Sequence, residues 1–392
     1  VLIEGYEQLH RVTSDCQPIE IGGQLATCGK CGAVQKPINT TWQALVEQIY
    51  SQYQIYHQSG GVEQVIFDQN TGRADTRSAA LLAKLFGRLT TPPAQQGKLL
   101  DVGCGNGALL AAFHHQRPNW QLTGSELADD HHQRIEAIPG VETFFAGPVQ
   151  DVPGSFDLIT LIHVLEHVPE PVAFLVELAK KLNAQDVGQA NQPPNLFIEV
   201  PDHTRNPFDL LIADHSAHFT KQSLAWVLAK AGFETVLLQN DIVPKELSAA
   251  ACLRVNQNAG QAAQEVDGLL SEANAQASIH LVQKRVAWLQ AVELLARKTA
   301  ENGPLGVFGT SIAGTWLGAS LETGLGDGVS FYVDEDTARH GRRFMGRPVM
   351  GVGNAPAGVP VLLALPPWLA MDVAGRLADS GINWLLPPEL EN

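Results

Sequence analysis

The chain predicts an α/β protein built around a parallel sheet, and three observations predict it. From position 97 onward, apolar runs of strand length alternate with helical patterns, the signature of a parallel sheet with helices on both faces. The first strand ends in Asp101 and runs into Gly103, Gly105 and Gly107 before a helix at 108–116. A second, smaller strand–turn–helix series opens at Leu305. The expected architecture is a seven-stranded doubly wound core, preceded by a small cysteine module and followed by a second α/β domain.

Composition bounds the function. At 392 residues the chain exceeds one ordinary hydrophobic core, and 17% charged with 45% hydrophobic residues is a globular composition. A net charge of −15 argues against a general nucleic-acid binder, which needs a basic face, but leaves an anionic small substrate open. No apolar run approaches the ~20 residues that span a bilayer, and the greasiest stretch, 359–370, is cut by Pro360, Pro366 and Pro367. No membrane partner is expected. Five cysteines, two of them three positions apart, suit a reducing compartment, so a cytoplasmic protein is expected. The opening residues lack a signal-peptide pattern, and residue 1 is Val, which fits a trimmed start. Oligomeric state is not legible.

The elements follow in order. Residues 1–40 read as loops holding Cys28 and Cys31. Residues 41–95 read as mostly helical, because Trp42, Leu45, Val46, Ile49, Tyr50 and Tyr53 recur at helical spacing and a second helix fits 77–89 before Pro92-Pro93. The core, 96–257, should hold strands at 98–102, 121–125, 143–146, 156–162 and 195–200. Helices are expected at 108–116, 129–138, 172–182 and 221–231, with a closing strand pair at 234–238 and 247–255. Residues 258–300, rich in Ala, Gln and Leu, read as one or two helices. The last domain, 301–392, should carry strands at 305–309, 329–333 and 359–365.

The turn Asp101-Val-Gly103-Cys-Gly105-Asn-Gly107 lets a ligand lie against main-chain N–H groups without a Cβ clash. Glu126 ends the second strand, 19 residues beyond Gly107, near the ~20 expected of an acid that takes ribose hydroxyls. The fourth strand runs into His163-Val-Leu-Glu166-His167-Val-Pro169. An acid directly before the glycines, placed to orient amides or meet a methionine amino group, favours S-adenosylmethionine over NAD.

On these residues the chain resembles the class I S-adenosylmethionine-dependent methyltransferases. The resemblance implies a Rossmann-like core with Asp101, Gly103, Gly105, Gly107, Glu126 and His163 at the cofactor. The order of Cys28-Gly-Lys-Cys31, this core, and a domain with Gly309, Val333-Asp334 and Arg339–Val349 resembles the sugar C-methyltransferases. That family has a zinc-binding module, a methyltransferase domain and a C-terminal Rossmann-like domain. It implies a nucleotide-linked keto-deoxysugar substrate, methylated on carbon through an enolate. An acid–His pair falls on Asp214 and His215, with Asp in place of the family's Glu. His215 is expected as base, Asp214 as its partner and His167 as the next candidate, because histidine titrates near neutrality and a carboxylate can orient it. Tyr50, Tyr53 and Tyr56 lie where the family has an aromatic segment over its active site, though helix-face packing accounts for the first two.

Structural zinc would need Cys28, Cys31, Cys16 and His10 to converge as four ligands; the family's upstream cysteine pair is missing here. Cys104 and Cys252 read as small packing residues. In the C-terminal domain Gly309–Gly314 lacks dinucleotide spacing, so bound NAD is not expected. Arg339, Arg342, Arg343 and Arg347 form the most basic patch, read either as a solvated loop or as a seat for a diphosphate. Two further readings stay open: an O-methyltransferase on the same core, and a non-catalytic cofactor-binding scaffold.

Overall fold

A computed structural model describes residues 1–52, 63, 65–67, 74–183, 192–254, 272–322 and 328–391. Contacts divide the chain into two compact units. The core unit holds Asp75–Asp202 and Ser216–Asn274; the terminal unit holds Val1–Ala74, His203–His215 and Ala275–Asn392.

In the core unit seven strands form one sheet: β1 (Gln96–Val102), β2 (Asn119–Glu126), β3 (Val141–Ala146), β4 (Leu158–Ile162), β5 (Leu196–Pro201), β6 (Phe233–Gln239) and β7 (Glu246–Leu253). Their order is β6-β7-β5-β4-β1-β2-β3. β1 to β5 pair in parallel, whereas β7 runs antiparallel to both β5 and β6. All seven expected strands form, and β7 inserts between β5 and β6. Chain direction across the sheet reverses between β1 and β4, the switch point outside whose carboxyl ends ligands bind in open α/β sheets.

Every residue of β5 is buried, as are the last four of β1. On one face Leu100, Ile159, Leu161 and Ile198 pack under Leu175 and Leu178 of helix Pro171–Ala179 and Leu224 and Leu228 of helix Lys221–Lys230. Each such leucine contributes ~1.5–3 kcal/mol by leaving water. Helices Arg77–Arg88 and Ala108–Gln116 pack together, with Phe113 edge-on to both Phe86 and Trp120. The helix expected at 129–138 is only His132–Glu136, squeezed between a polar run of Asp and His and the Pro139-Gly140 stop.

The terminal unit has a six-stranded sheet of Arg343–Phe344, Arg347–Met350, Val329–Val333, Leu305–Phe308, Pro360–Leu363 and Asn383–Leu385, in that spatial order. Only the edge strand Arg343–Phe344 is antiparallel. Helix Glu272–Glu301 runs 30 residues, within the segment read as helical; 255–271 lie outside the described residues. The loop-like N-terminus forms short strands, and its Tyr6, Leu9, Val12 and Leu25 share one core with Phe208, Leu211, Trp288 and Trp316. The 41–95 segment is less helical than expected: helices Thr40–Tyr50 and Arg77–Arg88 form, with strands Val65–Phe67 and Ala74–Thr76 between them. Tyr53 and Tyr56 lie outside the described residues. No described helix is long and apolar enough to cross a membrane.

Candidate functional site

β1 delivers Asp101 and Val102 to the carboxyl edge, and the chain turns at once. Gly103 has φ +65°, and a Cβ there would stand 2.5 Å from Val164, so only glycine fits without displacement. Gly103 and Cys104 donate to Ser125 O of β2 at 2.8 and 3.1 Å, and Gly107 donates to Cys104 O at 2.9 Å. Helix Ala108–Gln116 starts from Gly107 at φ +82°. Buried Asn106 takes the Ala108 N–H at 3.3 Å.

Glu126 closes this turn from β2. Its Oε1 accepts the Gly105 N–H and its Oε2 the Leu127 N–H, each at 3.0 Å. Each carboxylate oxygen has a second lone pair, so both can accept another hydrogen bond. Asp101 is buried and accepts the Thr160 hydroxyl at 2.6 Å. Burial and the nearby Glu126 charge outweigh that bond and push its pKa up to about 7. Burial also raises the Cys104 thiol, which suits a packing role.

Beyond β4 lies a charged cluster. His163 takes φ +56°, a strained setting for a side chain, and its N–H donates to Glu199 O at 2.9 Å. Nδ1 meets Glu166 Oε1 at 2.9 Å, while Nε2 faces Glu199 Oε1 at 3.6 Å and touches Arg77 Nη2. Burial and the Arg77 charge push the imidazole down; Glu246, Glu166 and Glu199 outweigh them and hold it at about 9. Arg77 also donates to Glu199 at 2.6 Å and lies 3.5 Å from Glu246, and Ser248 donates to Glu199 at 3.0 Å. Burial would raise Glu199; Arg77, His163 and Ser248 lower it instead. His163 and Arg77 keep 27% and 15% of their side chains exposed against none for Glu199, so the cations face outward and the carboxylate lies behind.

Residues 73–238 match a methyltransferase domain family. The chain carries a class I S-adenosylmethionine-dependent methyltransferase domain. It is 31% identical over 183 residues to a ubiquinone biosynthesis O-methyltransferase of Xanthomonas euvesicatoria, covering 45% of this chain and 66% of that one. It is 29% identical over 163 residues to the namesake from Bordetella parapertussis, covering 39% and 59%. The chain thus spans less than two thirds of the length of these curated relatives. A solved 1,6-didemethyltoxoflavin N1-methyltransferase of Burkholderia thailandensis, with S-adenosylhomocysteine bound, aligns at 18% identity and TM-score 0.37 over 57% of this chain and 96% of that one.

The methyltransferase domain fits its methyl donor. The N–H groups of Gly103, Cys104, Gly105 and Gly107 are bonded within the protein, and the turn leaves each Glu126 oxygen a second lone pair for a further donor. The turn thus brings together five of the six expected cofactor residues, Asp101, Gly103, Gly105, Gly107 and Glu126. The sixth, His163, follows β4 within its own charge cluster. Arg77, Glu199 and Glu246 are additions. A charged Glu199 inside an otherwise apolar strand is the signal that could have found them, since a buried carboxylate demands a partner.

The expected catalytic residues are placed differently. His167 belongs to the methyltransferase domain, half-buried in the short turn Leu165–His167. Asp214 and His215 belong to the terminal unit, both buried. Asp209, not Asp214, stands at His215 Nδ1, 2.8 Å away. Asp214 instead accepts the N–H and hydroxyl of Ser14 at 2.9 and 2.5 Å. The chain turns at Ala213-Asp214, and the carboxylate that reaches the ring comes from six residues back.

The zinc expectation does not fit. Cys28 and Cys31 sit on the hairpin joining Ala26–Thr27 to Val34–Gln35, their thiols hydrogen-bonded to each other. Among the described residues no three of Cys16, Cys28, Cys31 and His10 bring ligand atoms within 4.8 Å of one another. Cys16, at φ +65°, turns instead into a cavity with Thr310 and Arg339. Spacing alone carried no information on that direction.

Proposed function

We propose that the protein methylates a small-molecule acceptor, and that this acceptor is a nucleotide-linked keto-deoxysugar attacked at carbon. The donor half rests on one observation, the Glu126 carboxylate bonded to the Gly105 N–H at the sheet's carboxyl edge. The acceptor half rests on the likeness in segment order to the sugar C-methyltransferases. Bound at the glycine turn, S-adenosylmethionine supplies an electrophilic methyl on a sulfonium.

This chain's residues would do the rest. Within the methyltransferase domain, His167 takes the proton from the carbon beside the ketone; the C–H electrons pass into an enolate, whose carbon then bonds the methyl. The C–S electrons stay on sulfur as a neutral thioether. Such a base is worth ~10²–10⁴-fold, and holding the reactants in line ~7–11 kcal/mol. A cytoplasmic setting goes with the same reading.

A second reading, O-methylation, is favoured by the names of the Xanthomonas and Bordetella relatives. There the same base would deprotonate a hydroxyl. Methyl transfer to nucleotide-linked keto-sugars and to phenols, followed by mass spectrometry in deuterated water, separates the two. Deuterium at the sugar α-carbon with methylation supports the C reading; turnover on hydroxyls alone selects the O reading. Donor binding without turnover on either would leave a scaffold.

A further inference from the structure

The donor reading uses the turn after β1 and the end of β2, and leaves the other side of the switch point without a task. His163 directly follows β4, whose last residue, Ile162, pairs with Glu199 of β5. Because β7 runs antiparallel, its first residue, Glu246, comes to the same edge, opposite Pro201 at the end of β5. Arg77 opens its helix and reaches Glu199 at 2.6 Å. Ligands of open α/β sheets lie outside this carboxyl edge.

Two ion pairs are built here with the same polarity. Arg77 pairs with Glu199, and His163 Nδ1 with Glu166 Oε1 at 2.9 Å. The cation ends keep 15% and 27% of their side chains exposed, against none and 1% for the carboxylate ends. Each pair is therefore a dipole with its positive end outward, set before any ligand arrives. Glu246 does little to cancel them. Its Oε1 stands 3.5 Å from Arg77, its buried Oε2 has no hydrogen-bond partner among the described residues, and burial raises its pKa toward the neutral form.

Strain marks the same place. Four described non-glycine residues have positive φ, and two of them belong here: His163 at +56° and Lys245, next to Glu246, at +74°. Strained backbone persists where surrounding structure holds it and gathers at ligand sites.

We infer that Arg77 and His163 form an oxyanion pocket for the methyl acceptor, hydrogen-bonding the oxygen that carries its charge once its proton is gone. The inference rests on the methyl-transfer reading and holds for either class of acceptor. Loss of the proton leaves the C–H or O–H electron pair on the acceptor, as an enolate or a phenolate. The two donors hold that charge while the nucleophilic atom bonds the methyl and the C–S pair departs on sulfur. Donors fixed in place act strongly on charge that develops during reaction, because nothing need reorganise.

A probe that ionises on oxygen tests this without turnover. The full-length chain, saturated with S-adenosylhomocysteine, is titrated with para-nitrophenol, whose anion is read by its absorbance. The bound phenol should ionise ~1–3 pH units below the free one, as an acid beside a fixed positive charge does. Para-nitroaniline, of the same shape without the hydroxyl, should bind at least ~10-fold more weakly. His163→Gln should return the bound probe most of the way to its solution ionisation. His163→Lys, which restores a cation, should recover part of the shift; a side chain needed only for packing would not show that rescue. Absence of probe binding, an unshifted bound probe, an equal shift in His163→Gln, or no recovery in His163→Lys overturns the inference. Failure of the methyl-transfer reading appears instead as absent product with the probe still ionised, so the two are told apart.

Discussion

Glu126 Oε1 accepts the Gly105 N–H at 3.0 Å, so the acid ending β2 and the glycine turn after β1 form one hydrogen-bonded device. Along the sequence they are an acid ending one strand and a glycine turn ending another. Joined, the carboxylate sets the shape of the turn, which we propose receives the donor.

Removing that carboxylate should therefore act twice. Glu126→Ala leaves the Gly105 and Leu127 amides without their acceptor and deletes the proposed ribose partner. Affinity for S-adenosylhomocysteine should fall roughly 10- to 100-fold, from the ~1.5–3 kcal/mol of a charged hydrogen bond. Glu126→Gln should fall between. An unchanged Kd for Glu126→Ala in a calorimetric titration would remove this residue from the donor site.

The turn also fixes a backbone requirement. Gly107 sits at φ +82°, and a Cβ there would stand 2.4 Å from Ile138 Cδ1. Gly107→Ala should destabilise the domain by about 1–3 kcal/mol. Gly87, in helix Arg77–Arg88, has nothing within 4 Å of a built Cβ, and Gly87→Ala should stabilise by ~0.4–1 kcal/mol. Urea midpoints moving in the same direction would contradict the geometry.

His163 makes stability depend on pH. Its carboxylate neighbours hold its pKa at about 9, against an ordinary 6.5. The folded state therefore binds the proton more tightly than the unfolded state does. The resulting stabilisation is full below pH 6.5 and is lost as pH rises through about 9. The gap in unfolding free energy between the unaltered chain and His163→Gln should narrow across that window. A constant gap in urea melts at each end would mean that the imidazole stays neutral.

Asp101 should couple donor binding to proton release. Burial first, then the Glu126 charge, raise it from 3.8 to about 7, so the folded protein holds its proton up to neutrality. Between those values the native state binds more protons than the unfolded one, and stability falls as pH rises. A donor ammonium beside Asp101 would favour the charged form and expel the proton. Titrations of S-adenosylhomocysteine in two buffers of different ionisation enthalpy should show release near pH 6.5 that vanishes near pH 8.5 and in Asp101→Asn. Identical enthalpies in both buffers would place the ammonium elsewhere.

The glycine turn, Glu126 and all seven strands were legible in the linear chain. Apolar runs, strand ends and glycine spacing are local properties, governed by backbone sterics within a few residues. The position of β7 between β5 and β6 was not, because hydrogen-bond partners across a sheet leave no mark on spacing. Arg77 was read only as part of a helix, although it joins Glu199 from 122 residues away.

The residues alone determined the α/β class, the glycine turn and the acid that closes it, since each depends on chain stereochemistry over short distances. Tertiary structure alone decided which carboxylate meets His215, that Cys16 parts from Cys28 and Cys31, and that Arg339, Arg342 and Arg343 line one cavity. Direction in space is the physical reason. Side-chain orientation and charge pairing arise only when distant segments pack, and spacing along the chain does not encode them.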